Sequence, residues 1–215
     1  MDTKQIDAIV KRTQRAWYED GLWDLGIGLI YLLLGLFYYL VAANRMQPIL
    51  GIGVTIAQVV LIIASFWIVG WLVRTLKERI TYPRTGYITM HRPSGARGFR
   101  RGVMNALLAF TLSGILVLVS KVSGLQLFSG AAVLLALAYL YLAYRFGVLR
   151  FAIVAVLTVG LGFVSAFLRL GDYPAAAVLF TGEGVIWLAS GALTLWHFLR
   201  TTQPANPAER YGEPE

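Results

Sequence analysis

Apolar residues in this chain are gathered into six blocks, at 21–43, 49–73, 103–120, 125–144, 148–168 and 175–198. Each is about 18 to 25 residues long, and at 1.5 Å per residue such a helix crosses the roughly 30 Å hydrocarbon core of a bilayer. The breaks between blocks are short and carry proline, glycine or charge, except for one at 74–102. Short connections make consecutive helices antiparallel neighbours. The expected fold is therefore an all-α integral membrane bundle of six transmembrane helices. Composition points the same way. Hydrophobic residues make up 58% and charged residues 14%, against about a quarter charged in soluble domains.

The net charge of +8 is distributed to one side of this bundle. If the N-terminus is inside, the inner segments hold Lys4, Lys11, Arg12 and Arg15, then eight basic residues between Arg74 and Arg101, then Arg145, Arg150, Arg200 and Arg210. The opposite side keeps only Arg45, Lys121 and Arg169. This asymmetry fixes both termini in the cytoplasm and places the chain in the cell (inner) membrane. The basic charge encodes orientation, so no nucleic-acid partner is expected. The first 20 residues are polar and the first apolar block is too long for a signal-peptide core, so that block is expected to act as its own insertion signal.

The chain has no cysteine, which removes disulfides, thiolate catalysis and cysteine-held metals. Its two histidines, His91 and His197, cannot furnish a bis-histidine haem site in the membrane. No cofactor, no metal and no enzymatic activity are expected.

Five regions follow. Residues 1–20 form an amphipathic interfacial helix, because Ile6, Ile9, Val10, Thr13 and Trp17 recur at spacings of three and four beside Lys11, Arg12 and Arg15. Residues 21–73 form the first helical hairpin, 74–102 a basic cytoplasmic loop, 103–200 the other four spans, and 201–215 a tail without fold. The second helix continues through RTLKERI until Pro83 disfavours helix at Tyr82. ITYPRTGYITM then alternates around a Pro-Arg-Thr-Gly turn, as a short strand hairpin would. The loop holds eight basic residues against Glu78 alone. Arg84, Arg92, Arg97, Arg100 and Arg101 are accordingly candidates for anionic lipid headgroups, at about 1 kcal/mol per basic residue near the surface. The phrases WYEDG, at the end of the amphipathic helix, and TYPRTGY, in the long loop, resemble ones found in a family of multispanning bacterial membrane proteins. That resemblance implies a polytopic membrane protein and no particular activity.

Polar residues inside the blocks are few and fall into register. Gly21, Gly28 and Gly35 repeat every seven residues with Asp24 on the same face, so small residues invite close helix contact and aim the carboxyl into the bundle. In the last block, Glu183, Ser190, Thr194 and His197 form one stripe. Glu183 is expected near the membrane midplane, where an ionised carboxylate costs several kcal/mol unless it is paired or protonated. Gln58 and Ser113 are expected at the same depth, and Asp24, Asn105 and His197 in a second layer nearer the cytoplasm. Two functions fit. One is a non-catalytic membrane protein that organises lipid or a partner, itself a second copy or another membrane protein. The other is a small-molecule or ion transporter, or its substrate-binding membrane subunit, working through Glu183.

Overall fold

The computed structural model describes residues 18–43, 51–85, 111, 115 and 127–202. Five helices make up nearly all of them, and no strand occurs among the described residues. We label them α1 (Leu22–Ala43), α2 (Gly51–Leu76), α3 (Leu127–Phe146), α4 (Leu149–Phe167) and α5 (Asp172–Thr201). Four stretches are long and apolar enough to cross a membrane: Leu22–Ala43, Ile56–Thr81, Leu149–Phe167 and Asp172–Thr201. In α3 the apolar stretch is Gly130–Phe146. Large side chains such as Trp67, Phe163 and Phe167 are more than 70% exposed, a surface that water disfavours and lipid accepts. The chain is a helical membrane protein.

Several expectations fall outside the described residues. These are the amphipathic helix apart from its last turn, the loop beyond residue 85, most of the block 103–120, and the tail beyond Thr202. Ser113, Asn105, Arg92, Arg97, Arg100 and Arg101 lie there too. Of the block 103–120, Thr111 and Ile115 are described, both helical and exposed.

The helix α5 is the central element. Its most extensive contact is with α1, and α4 and α3 pack on its other side. α2 packs against α1, and α3 against α4. The glycine register explains the α1–α5 contact. A Cβ added at Gly28 would stand 2.8 Å from the Leu188 backbone nitrogen and 3.0 Å from the Gly184 carbonyl. One at Gly35 would stand 2.7 Å from the Thr181 nitrogen. Gly184 and Gly191 return the relation, facing Leu32 and Leu25. Backbones this close leave room for nothing larger than hydrogen, as the spacing of Gly21, Gly28 and Gly35 requires. Gly26 serves a different neighbour, receiving Val69 and Val73 of α2.

The second helix continues past its apolar block through 74–80, as expected, and then runs further than expected, through a π-helical turn, Lys77–Thr81, and a further turn, Tyr82–Thr85. Ile80 to Thr85 are therefore helical, and the strand hairpin proposed for ITYPRTGYITM is wrong over these residues. Pro83, which has no N–H to donate, comes directly after the widened turn, where the α-helical bonding pattern is already interrupted. In the widened turn the Tyr82 N–H donates to the Lys77 carbonyl, five residues back.

Candidate functional site

Two polar layers lie between the helices. The first is at the end of the bundle that carries Lys77 and Arg150, called here the basic end. It starts in the segment Tyr18 to Gly21. Gly21 takes a positive φ of 68°, open to glycine at little cost, and a Cβ there would meet the Gly191 carbonyl at 2.6 Å. This reversal turns the chain into α1. Asp20 lies just before it, 1% exposed, and its Oδ1 accepts the Leu22 N–H at 3.2 Å, capping α1. Its Oδ2 accepts from Lys77 Nζ at 2.6 Å and from the Thr81 hydroxyl at 3.0 Å. Lys77, counted from the sequence among the basic residues of the 74–102 segment, is 2% exposed and in an ion pair with Asp20.

Asp24 is one turn deeper, with 0% exposure. Its partner is Arg150 of α4, whose Nε is 3.0 Å from Asp24 Oδ2 without pointing at it in hydrogen-bond geometry. The rest of the guanidinium is held by two neighbours: Nη1 donates to the Thr194 hydroxyl at 3.0 Å, and Nη2 donates to the Tyr18 carbonyl. The Tyr18 ring packs against Phe146 and Phe151, with centroids 5.0 and 5.7 Å away. Burial, reinforced by Asp24, pushes the Tyr18 phenol above its ordinary value. Farther along α2's extension, Arg84 donates to the carbonyls of Leu199 at 3.2 Å and Thr202 at 2.6 Å. These lie at the C-terminus of α5, where carbonyls lack helical donors and a cation is favoured. Arg84 thus caps α5 through Nη1.

The second layer sits about midway along α5. Glu183 is 0% exposed, and its Oε2 accepts from the Tyr139 hydroxyl of α3 at 3.3 Å. The Tyr139 oxygen is in turn 2.7 Å from the Tyr31 hydroxyl of α1. Each phenol has one proton. If Tyr139 donates to Glu183, Tyr31 donates to Tyr139, and a three-membered chain crosses from α1 to α5. The link to Glu183 is long for an O–H···O bond. Glu183 Oε1 and Trp187 Nε1 make no hydrogen bond of good geometry, although Trp187 and Thr158 both stand close to the carboxyl. Trp187 closes the layer edge-on to Tyr139, 5.2 Å between centroids, and Thr158 spends its hydroxyl on the Val154 carbonyl of its own helix.

The expected stripes are partly redrawn. Asp24, Glu183, Ser190 and Thr194 do line the interior face, but His197 is exposed. From Glu183 to His197 is two heptads, over which a straight helix drifts by about 40° from a seven-residue repeat. The place assigned to His197 beside Asp24 belongs to Arg150. Gln58 is not in the Glu183 layer. It reaches the Tyr38 hydroxyl, and Tyr38 packs with Phe180 and Tyr173, closer to the far end of the bundle. Counting depth inward from the ends of apolar blocks misplaced it, because α2 runs past the end of its block. Asp20, Lys77, Arg150, Tyr31 and Tyr139 were not foreseen as interior groups. The available signal was WYEDG itself, an acidic pair and a glycine where an amphipathic stretch meets a span.

Among the described residues no three His, Asp or Glu side chains converge. What the site offers is two buried ion pairs and one hydrogen-bonded carboxyl, joining α1 to α2, α3, α4 and α5. Comparison with protein-family models, with curated proteins and with solved structures gives no match to any of them.

Proposed function

We propose that this is a six-span protein of the cell's inner membrane, both termini cytoplasmic, that organises lipid and a membrane partner and catalyses no reaction. The partner is a second copy of the chain or another membrane protein. The observation that supports this best is that interior polar groups are engaged with one another across helices: Asp20 with Lys77, Asp24 with Arg150, and Glu183 with Tyr139 and Tyr31. Such ties fix helix register. A transport path instead needs polar groups that a solute can reach.

In this reading the basic loop, with Arg92, Arg97, Arg100 and Arg101, rests on anionic headgroups. Binding to anionic vesicles should weaken with salt, since exposed charges are screened within about 10 Å at 0.1 M. Replacing Arg97, Arg100 and Arg101 by Gln should reduce it. Orientation is checked by single-cysteine labelling of this cysteine-free chain in intact cells. Positions 45–47 and 121–124 should react from outside, and positions 86–98 should not.

A second reading rests on Glu183 Oε1, which makes no hydrogen bond of good geometry: a transporter whose solute or proton completes that bond. Glu183→Gln separates the two. The amide keeps shape and hydrogen bonding but has no titratable proton. Organising protein predicts a variant that folds and melts like wild type, with no pH-driven flux in either. Loss of a pH-driven flux in proteoliposomes on this substitution would move the reading to transport.

A further inference from the structure

The furrow between α4 and α5 has a polar head and an apolar length. It encloses about 400 Å³, within the size range of ligand sites. Among the described residues its walls are Ile153 and Leu157 of α4 and Val185, Ala189 and Leu193 of α5. At the basic end it closes on Arg150 and Thr194. From Thr194 to Val185 is nine residues, about 14 Å along the helix. That is close to the depth of one leaflet, half of a core about 30 Å thick. The α4 stripe Ile153, Leu157 runs on by four to Leu161, and the α5 stripe runs back from Val185 to Gly182. Both lie on the wall of a second apolar space of about 740 Å³.

The cationic end is placed for an anion. The Arg150 side chain is 18% exposed and lines the furrow, besides its contacts with Asp24, Thr194 and Tyr18. Arg145 is exposed at the same end, its guanidinium 5.9 Å from the ring of Phe146, which packs on Tyr18. Arg145 donates to the Tyr141 hydroxyl at 3.2 Å and is separate from the residues that line the furrow. Among the described residues the acids at this end of α1 are Asp24, which answers Arg150, Asp20, which answers Lys77, and Glu19, which is exposed to bulk. Arg145 has no acidic partner among the described ion pairs. Guanidinium suits phosphate because its donors match two oxygens at once.

We propose that this furrow is a binding site for a single anionic phospholipid, one acyl chain lying between α4 and α5 and the phosphate against Arg150 and Arg145. The proposal rests on the organising reading above and gives it a specific ligand: a lipid bound from the leaflet, as distinct from headgroups gathered by the loop.

The test uses the full chain purified in neutral detergent, with phosphatidylglycerol and phosphatidylcholine as probes and native mass spectrometry as readout. Phosphatidylglycerol should be retained over phosphatidylcholine even in high salt. Ala189→Phe, which fills the furrow from an exposed position, should lower retention about tenfold, the change that 1.4 kcal/mol makes in an equilibrium, while melting like wild type in detergent alone. Val185→Phe, also exposed, is the alternative where Ala189→Phe does not fold. Arg145→Gln should remove the preference for the anionic lipid. Equal retention of the two lipids, undiminished retention in the filled variants, or equally tight binding of free glycerol phosphate would overturn the site. Replacing Arg97, Arg100 and Arg101 by Gln should leave this retention unchanged. Failure here therefore differs from failure of the loop reading, which would be lost salt-sensitive vesicle binding.

Discussion

The two polar layers on α1 join it to its neighbours with different materials. At the basic end the links are formal charges in opposite pairs, Asp20 with Lys77 and Asp24 with Arg150. Midway along, they are two phenols and one carboxyl, Tyr31, Tyr139 and Glu183, with no cation among the residues in hydrogen-bond contact. Depth accounts for the difference. Near an interface a lysine or arginine can be supplied with carbonyls and a nearby acid at tolerable desolvation, whereas at the centre of hydrocarbon a second formal charge is costly and hydrogen bonds must suffice. The charged layer is therefore strong only while both members are present. The hydroxyl layer accepts any group of the right shape and bonding capacity.

The largest effect should come from splitting a charged pair. Lys77→Met leaves the 1%-exposed Asp20 carboxylate with the Thr81 hydroxyl and the Leu22 N–H but no cation. Breaking such a pair costs about 3 to 5 kcal/mol. Unfolding in detergent should show this loss. The double variant Asp20→Leu with Lys77→Leu should recover much of it, because removing both charges also removes the desolvation. No recovery would mean that Asp20 acts mainly as the cap of α1.

Between the layers, the close approach of α1 and α5 can be wedged apart. Gly28→Val places atoms where the Leu188 nitrogen and Gly184 carbonyl already are, and overpacking of this kind costs about 1 to 3 kcal/mol. Because Gly28 lies between Asp24 and Tyr31 on α1, both layers should loosen together, with faster hydrogen exchange along α5. Gly53, whose added Cβ would meet nothing, is the control: Gly53→Ala should be neutral or stabilising. Equal effects at the two glycines would show that the contact is not tight.

In the midway layer the carboxyl is the test. Glu183→Leu leaves the Tyr139 hydroxyl without its acceptor and should cost about 1 to 3 kcal/mol, while Glu183→Gln should melt near wild type. That tolerance separates this layer from the charged one, where Asp20→Asn is expected to be poorly accepted because Lys77 stays charged and buried. A Gln variant as unstable as the Leu variant would show that Glu183 is held by charge after all.

The smallest effect belongs to the rim of the charged layer. Arg84→Gln loses donors to Leu199 and Thr202, but the site is partly solvated, so about 1 kcal/mol or less is expected. Its signature is fraying of the last turn of α5, read by hydrogen exchange, with the Glu183 layer unaffected.

Much of this was legible in the chain. The helical membrane class follows from block length, since a span of that length and apolarity has no other solvent that suits it. The α1 face is legible too. A glycine every seven residues with Asp24 among them defines a close contact and an inward carboxyl whatever the partner is. Glu183 was identifiable because an acid in an otherwise apolar block must be buried or bonded. Less legible was everything set by where helices end. Read locally, the chain carries α2 past its apolar block to Ile80 but stops it at Tyr82, because Pro83 disfavours helix there. Helix continues to Thr85 because Lys77 finds Asp20 across 57 positions of sequence, a partner that no local window contains.

Sequence alone thus determined the solvent of this protein, the helical class and the face of α1 that must stay small, because each depends on periodicity within one segment. Only the tertiary structure decided which charge meets which. Asp24 was expected beside His197 and found Arg150; Gln58 was expected beside Glu183, whose place at that level is taken by Tyr31 and Tyr139. The physical reason is that helix faces are set by local repeats, whereas relative depth and rotation of two helices are set by their packing. A drift of about 40° over two heptads, or a helix running three turns past its apolar block, is enough to exchange one buried partner for another.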